Sequence, residues 1–509
     1  MLKKTHNQTT IDRAKLHLGN RLLDVAEMLP TFRGGTIASL QRIRQRQRER
    51  GRNAFEHART AQGAELALSQ VILIEVFPVE ELDRMIGGLQ RLFPDKRFFF
   101  NPLSDVRNTG RDLFSSSWRS LGMITRSQQN PFFSPFPLHT APALPPSVKS
   151  IELELHKIFS SLFVLSFHVE LERGATDKLR ALQEEMYLPQ ICFRQWFPKS
   201  LRLIGPYSEM NPESVKARAL SEWMLSLRRD IERVLRNYFS GFFFRATPQN
   251  RAALPALNVF ELRGDCPAQG EDQWLASLAP LLEPLSLTQA SHALDVYSNE
   301  DIRVFRPWET EKTTYQILRV QRRQSLPNED HEYFRMKEIV RALIVASGAL
   351  EFLSGIQTTV EALRLRVYQR LMSKHFINLF RKDLLLYRQV QQARLLLTRF
   401  SLEYEQQARW FTEELESLSQ FYYSGEWHHK TLSKNICEGL AFKTGHMRSH
   451  LDFVNSSFLD NISARNTELM YRLQFQMLIW TVFVALATSI VVIGPDIVKS
   501  WFRLLWLKL

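Results

Sequence analysis

The sequence predicts an α+β domain, then an all-α region of long helices, then one transmembrane helix close to the C-terminus. Three observations predict it. Of 22 prolines, none lies between Pro327 and Pro495, a run long enough for several helices. Alternating apolar and polar residues, the period of strands, recur before that run. Leu473 to Pro495 carries no charged residue.

The remaining composition bounds the class. A chain of 509 residues accommodates two or three cores, and a hydrophobic fraction of 44% is that of a globular protein rather than a disordered one. Cys192, Cys266 and Cys437 are widely separated and odd in number, which argues against a disulfide framework and suits a reducing compartment.

Residues 1–66 form a basic segment, with 13 Lys or Arg against 5 Asp or Glu in residues 1–64. Arg42, Arg44, Arg46, Arg48, Arg50 and Arg52 recur at every second position. On a helix they would ring the cylinder; in an extended chain they would form one basic edge for phosphate. Three readings stay open: a solvated or structural arm, contact with anionic lipid, and contact with nucleic acid. No aromatic residue interleaves with the arginines, so base stacking is not indicated. The first residues lack an apolar run of signal-peptide length, so the bulk of the chain is expected on the cytoplasmic side.

Residues 67–327 carry the α+β pattern. Val71 to Phe77 (VILIEVF) reads as a buried strand, and VEELDRMIGGLQRLF after it as a helix. Residues 131–146 hold six prolines and form a loop. Ile151, Leu153 and Leu155 alternate with Glu152, Glu154 and His156; Phe163, Leu165, Phe167, Val169 and Leu171 continue the period after Ser160-Ser161, predicting a hairpin. Asn211-Pro212 opens a helix with Leu220, Trp223, Leu227, Ile231, Val234 and Tyr238 along one face. Leu257 to Leu262, Ile302 to Phe305 and Tyr315 to Val320 are further strands.

Residues 328–472 read as long, stalk-like helices. Ala342 to Leu350 (ALIVASGAL) is apolar all round but too short to span a bilayer, so it is a core helix. Leu384 to Phe400 and Tyr404 to Leu418 show helical spacing and are expected to pair as an antiparallel hairpin or as a coiled coil between subunits. Gly425 breaks the pattern, and the last helix, from about Gly445, runs into the membrane segment.

Residues 473–495 are the transmembrane helix. At 1.5 Å per residue they reach roughly 35 Å, against a hydrocarbon core of about 30 Å. Trp480, Trp501 and Trp506 suit the interfaces, and residues 496–509, with Lys499, Arg503 and Lys508, read as a basic interfacial tail. The expected place is an integral membrane position, in a bacterial inner membrane or its equivalent, with most of the chain cytoplasmic.

Chemistry is sparse. His428, His429, Cys437, His446 and His450 cluster, and His446 and His450 are four apart on one helix face, a workable metal-ligand spacing with Cys437 or Asp452 as third ligand. The other reading is juxtamembrane histidines in solvent. His331-Glu332-Tyr333-Phe334-Arg335 begins like H-E-x-x-H, but Arg335 stands where the second ligand belongs. Cys266 has Arg263 near it and no histidine, which favours a plain loop cysteine. Phosphate loops, dinucleotide fingerprints, nucleophile elbows and C-x-x-C pairs are absent from the sequence. No catalytic residue and no cofactor is therefore assigned. Thr481 and Thr488, seven apart, share a face of the span as a pore or packing surface.

The order of parts, with Asn461 to Ile493 (NISARNTELMYRLQFQMLIWTVFVALATSIVVI) as a helix entering the membrane and Asn461 and Asn466 ahead of it, resembles the CorA-like cation transporters. The resemblance covers about the last 170 residues and implies a homo-oligomer with a cation pathway. Gly494-Pro495-Asp496 stands where that family carries Gly-Met-Asn, and 14 residues follow, so conduction through that signature and a second span are not implied. The leading expectation is a non-enzymatic sensor or scaffold whose cytosolic domain couples through a helical stalk to an oligomeric membrane end. A divergent CorA-like cation channel and a membrane-tethered nucleic-acid-binding or enzymatic effector are the alternatives.

Overall fold

The apolar run Val71–Phe77 lies within strand β1 (Glu65–Pro78), a central strand of a ten-stranded sheet. The computed structural model describes residues 21, 23–29, 35–59, 64–93, 118–126, 138–141, 144–193, 207–248, 251–264, 275, 278, 282–285, 287, 295–299, 301–306, 313–322, 329–371, 380–423, 430–493, 499, 500, 503 and 506. The other sheet strands are β2 (Trp118–Thr125), β3 (Leu138–Thr140), β4 (Val148–Phe159), β5 (Leu162–Leu171), β8 (Ala256–Gly264), β9 (Asp295–Asn299), β10 (Ile302–Arg306), β11 (Thr313–Arg322) and β12 (Tyr422–Tyr423). Their order is β12-β9-β10-β11-β8-β1-β5-β4-β2-β3. Neighbours are antiparallel except β11 with β8 and β2 with β3. Strands β6 (Gln190–Phe193) and β7 (Tyr207–Met210) pair separately. The proline-rich stretch thus contributes one short strand, β3, within the expected loop.

The predicted hairpin turns at Ser160-Ser161, between β4 and β5. A β-bulge between Lys157 and Phe159 fixes its register. Without the extra residue, Glu154 would stand opposite Phe167; with it, Glu154 stands opposite Ser166 and Leu155 opposite Leu165. A one-residue slip would put polar and apolar side chains on the same face, so the bulge sorts them.

Both faces of this sheet are covered. On the face of Leu73, Leu165 and Phe167 lie helix α2 (Leu82–Leu92) and the turn after α4 (Pro212–Leu235), with the Phe239 ring 5.4 Å from Phe167 and the Tyr238 carbonyl and Phe239 ring against Gly88. Helix α3 (Arg173–Glu184) packs on β1, as does α5 (Phe242–Ala246). On the face of Val164 and Ile158 lies α6 (Glu329–Leu371), whose Gly348 meets both side chains. Asn211 caps α4 by accepting from the Ser214 N–H at 2.9 Å, and Pro212 takes the first turn. Asn211→Ala is expected to cost about 1 kcal/mol in chemical denaturation, whereas Asn211→Ser, which keeps an acceptor, stays near wild type.

The arginine run is helical, in α1 (Gly35–Arg59). The extended basic edge does not form, because the helix turns successive arginines to different sides. Arg44 pairs with Asp24 and, at 3.6 Å, with Glu27; Arg48 pairs with Glu27 at 2.5 Å. Arg42, Arg46 and Arg52 are exposed.

The chain divides into two compact units, residues 1–355 with 399–442, and residues 356–398 with 443–509. Helices predominate after Pro327 as the prolines foretell, but β12 and residues 329–355 and 399–442 belong with the sheet-bearing unit. Helix α7 (Phe380–Gln406) breaks at Gln407 and is followed by the short α8 (Ala408–Glu414). The expected hairpin of Leu384–Phe400 with Tyr404–Leu418 is not formed. Phe400 and Phe411 instead pack on Phe159, at 5.2 and 5.7 Å between ring centroids, so this part of the chain serves the sheet's core.

The second unit consists of segments of α6, α7 and α9 (Leu432–Ile493). Val360, Leu363 and Val367, then Leu386, Val390, Ala393 and Leu397, then Met447, Leu451 and Val454 are buried stripes at helical spacing. Gln391 donates to Asn455 at 2.7 Å and Arg394 pairs with Asp452 at 3.2 Å. Helix α9 begins 13 residues before Gly445, since neither Gly439 nor Gly445 is crowded and the helix is held by buried Leu432, Ile436 and Leu440. Among the described residues, two helical segments are long and apolar enough to cross a membrane: Phe334–Gln369, 78% buried, and Met470–Ser489, 0% buried. The first contains Ala342–Leu350; its helix is longer than those nine residues suggest, and burial rather than length marks the segment as core.

Candidate metal centre

On the α6-facing side of the β4–β5 hairpin, Glu154, His156, Ser166 and His168 project together. Residues 154 and 156 share a face of β4, and the bulged register sets 166 and 168 beside them on β5. All four side chains are buried. His156 Nε2 lies 3.5 Å from Glu154 Oε2, and His168 Nε2 lies 3.4 Å from the same oxygen. The Ser166 hydroxyl sits 3.0 Å from His156 Nε2 and 3.1 Å from His168 Nε2. This is not a Ser-His-acid triad. There the imidazole faces serine with one nitrogen and the carboxylate with the other; here both partners face Nε2.

The surroundings fix these groups. The Gln70 amide nitrogen lies 3.4 Å from His168 Nδ1, where its N–H can donate to the ring. Lys337 and Arg341, one turn apart on α6, approach the other carboxylate oxygen, Glu154 Oε1, at 3.6 and 3.7 Å. The Arg341 guanidinium lies over the Trp118 ring, 3.2 Å from its centre. Trp118 pairs with His156 across β2–β4 and is half exposed, so the centre lies close to the surface. Ser120 donates to Glu152 Oε1 at 3.1 Å on the same side. A bulge between Ser120 and Gly122 sets this register, and Gly122 has a φ of 143°, which favours glycine.

Burial alone would raise the Glu154 carboxyl; the contact and charge of His168, the charge of His156 and the Arg341 guanidinium outweigh it and hold the group down at about 2. Burial pushes His156 down to about 3 against the pull of Glu154, with His168 and Arg341 also opposing a further cation. Glu154 is thus ionised and His156 neutral, with Arg341 as the lasting counter-charge. An ionised carboxylate and a neutral imidazole are the forms that bind a metal.

The residues singled out from the sequence lie elsewhere. His446 and His450 are in the second unit with ring centroids 4.3 Å apart, as their spacing foretells. His450 Nδ1 faces Arg364 at 3.4 Å, and Asp452, offered as a third ligand, pairs with Arg394. Cys437 lies in the first unit, where burial pushes its thiol up and Tyr404 donates to its carbonyl at 3.1 Å. Cys266, His428 and His429 lie outside the described residues, as do the side chains of His331 and Glu332. Thr481 and Thr488 donate to the carbonyls of Met477 and Val484, at 2.7 and 2.5 Å.

Sequence reasoning missed Glu154, His156 and His168. It placed Glu152, Glu154 and His156 at alternate positions of one strand and read in them only the strand period. A signal was present in the partner strand, where Ser166 and His168 interrupt an otherwise apolar run with two metal-capable or hydroxyl groups at strand spacing. A scan against protein-family models and a search of curated proteins find no match to this chain.

Proposed function

We propose that the chain is a membrane-anchored, non-enzymatic sensor or scaffold, in which an α/β unit is joined by a single helix to the lipid. The observation that carries this reading is α9. Its first turns are buried through Leu432, Ile436 and Leu440, and it runs without a break to Ile493. Over Met470–Ser489 it exposes apolar residues on every side, among them Leu473, Phe475, Ile479, Trp480, Phe483 and Leu486. A soluble protein rarely exposes so large an apolar surface. A hydrocarbon core satisfies it, because the helix already bonds its own backbone groups. The Thr481 and Thr488 hydroxyls are likewise turned to carbonyls of their own helix, which suits an anchor in lipid better than the lining of a CorA-like pore.

The oligomeric membrane end and the stalk belong to the same proposal. The α6, α7 and α9 segments of the second unit would be the stalk, and exposed Leu385 and Leu395 on α7 offer surface for a second copy. Exposed Arg42, Arg46 and Arg52 are the groups available to anionic lipid headgroups.

The test is fractionation. A chain truncated after Arg472 is expected to leave the membrane pellet for the supernatant, with the full chain staying in the pellet through high-salt and carbonate washes. A full-length chain that dissolves without detergent as a monodisperse species would end the reading.

A further inference from the structure

We propose that Glu154, His156 and His168 bind one divalent first-row transition ion, of the zinc class, through Oε2 and the two Nε2 atoms. The proposal is independent of membrane anchoring and rests on four features of the first unit.

The first is spacing. Bonds of about 2.0–2.1 Å to a tetrahedral ion set the ligand atoms about 3.3–3.4 Å apart. The two Nε2–Oε2 separations are 3.5 and 3.4 Å. These contacts are long for hydrogen bonds and right for two atoms sharing an ion. All three ligand atoms lie within 4.8 Å of one another.

The second is an unmatched oxygen. Glu154 is 1% exposed, and its Oε2, aimed between the two rings, has no hydrogen-bond partner. Lys337 and Arg341 approach Oε1, and only the two imidazole nitrogens, at 3.5 and 3.4 Å, approach Oε2. Buried carboxylate oxygens without partners are rare because of their desolvation cost.

The third is orientation. Both histidines present Nε2 to Glu154 Oε2, and the Gln70 amide at Nδ1 holds the His168 ring in place. The Ser166 hydroxyl supplies a polar atom beside both nitrogens. Two histidines and one carboxylate, beside a hydroxyl, are a donor set for zinc, iron or cobalt rather than for calcium or magnesium, which prefer oxygen.

The fourth is the pair of cations. Lys337 and Arg341 claim Oε1, so the carboxylate can offer the metal one oxygen only. Their charge also opposes the ion. This gives the proposal a consequence that a structural polar cluster lacks: removing a cation should tighten metal binding.

The experiment uses the full chain in detergent, dialysed against a chelator and titrated with Co²⁺ as a spectroscopic stand-in for Zn²⁺. The expected result is one Co²⁺ per chain with strong visible bands of a four- or five-coordinate site, displaced by Zn²⁺. The bands should disappear in Glu154→Gln and His168→Gln and persist in a His446→Ala/His450→Ala double variant. Lys337→Met, at a partly exposed position, should bind about tenfold more tightly. Absence of the bands in the wild-type chain overturns the proposal, as does their survival in both Gln variants. Should the Gln variants fail to fold, Lys337→Met decides: unchanged or weaker affinity overturns the assignment.

Discussion

Replacing Glu75 by alanine is expected to destabilise the sheet-bearing unit by several kcal/mol, at roughly 1–3 kcal/mol for each buried N–H left without an acceptor. Glu75 lies near the C-terminal end of β1 and is fully buried. Its carboxylate accepts the Phe243 N–H at 2.8 Å, the Phe244 N–H at 3.0 Å and the Val76 N–H at 2.9 Å. The N-cap of α5 is Gly241, which has no side chain to cap the helix, so the acid of a distant strand does so. A Cβ on Gly241 would lie 2.6 Å from Glu75 Cδ, which is why the carboxyl can enter. Alanine at 75 would leave three buried N–H groups without an acceptor.

The same residue gives a pH dependence. Burial raises its carboxyl from 4.5 to about 7, against the lowering effect of the three N–H donors and Arg245. The native state then holds the proton more tightly than the unfolded chain, so this group's contribution is present below pH 4.5 and lost as pH rises through 7. With about 1.4 kcal/mol for each tenfold change, the loss is roughly 3 kcal/mol. Denaturation of wild type and Glu75→Gln at several pH values isolates it. The difference between the two should shift by that amount across the interval. A constant difference would show that the carboxyl is ionised throughout.

Gly348→Ala is expected to cost about 1–3 kcal/mol although alanine favours a helix by about 1 kcal/mol over glycine. A Cβ at this position would stand 2.5 Å from Val164 Cγ2 and 3.3 Å from Ile158 Cδ1. Val164 is fully buried and β-branched, so it has no alternative rotamer into which to retreat. The helix must lift from the sheet, and Lys337 and Arg341 lift with it. Val164→Ala in the same chain removes the obstructing methyl groups. A double-mutant cycle should therefore show the two substitutions less harmful together than their separate costs imply. Additive costs would mean that the helix does not approach the sheet through Gly348.

Much of the first unit's secondary structure was legible because its period was unambiguous. Val71–Phe77, the hairpin about Ser160-Ser161, the Asn211-Pro212 helix start and the strands at 257, 302 and 315 all fall where the sequence places them. The pairing of Tyr404–Leu418 was not legible. Its helical spacing is real, but the break at Gln407 and the attraction of Phe400 and Phe411 to Phe159 depend on a residue more than two hundred positions earlier.

By itself the sequence determined which residues share a face, where strands give way to helices, and that one uncharged segment of α9 has bilayer length. Only the tertiary structure decided what covers each face. Alternation in β4 separates Glu154 and His156 from Ile151 and Leu153, but burial of the polar side follows from α6 lying across it. The bulge before Phe159 then sets Glu154 opposite Ser166. The physical reason is range: periodicity is local along the chain, whereas the dielectric around a carboxylate is set by whichever distant helix excludes water from it.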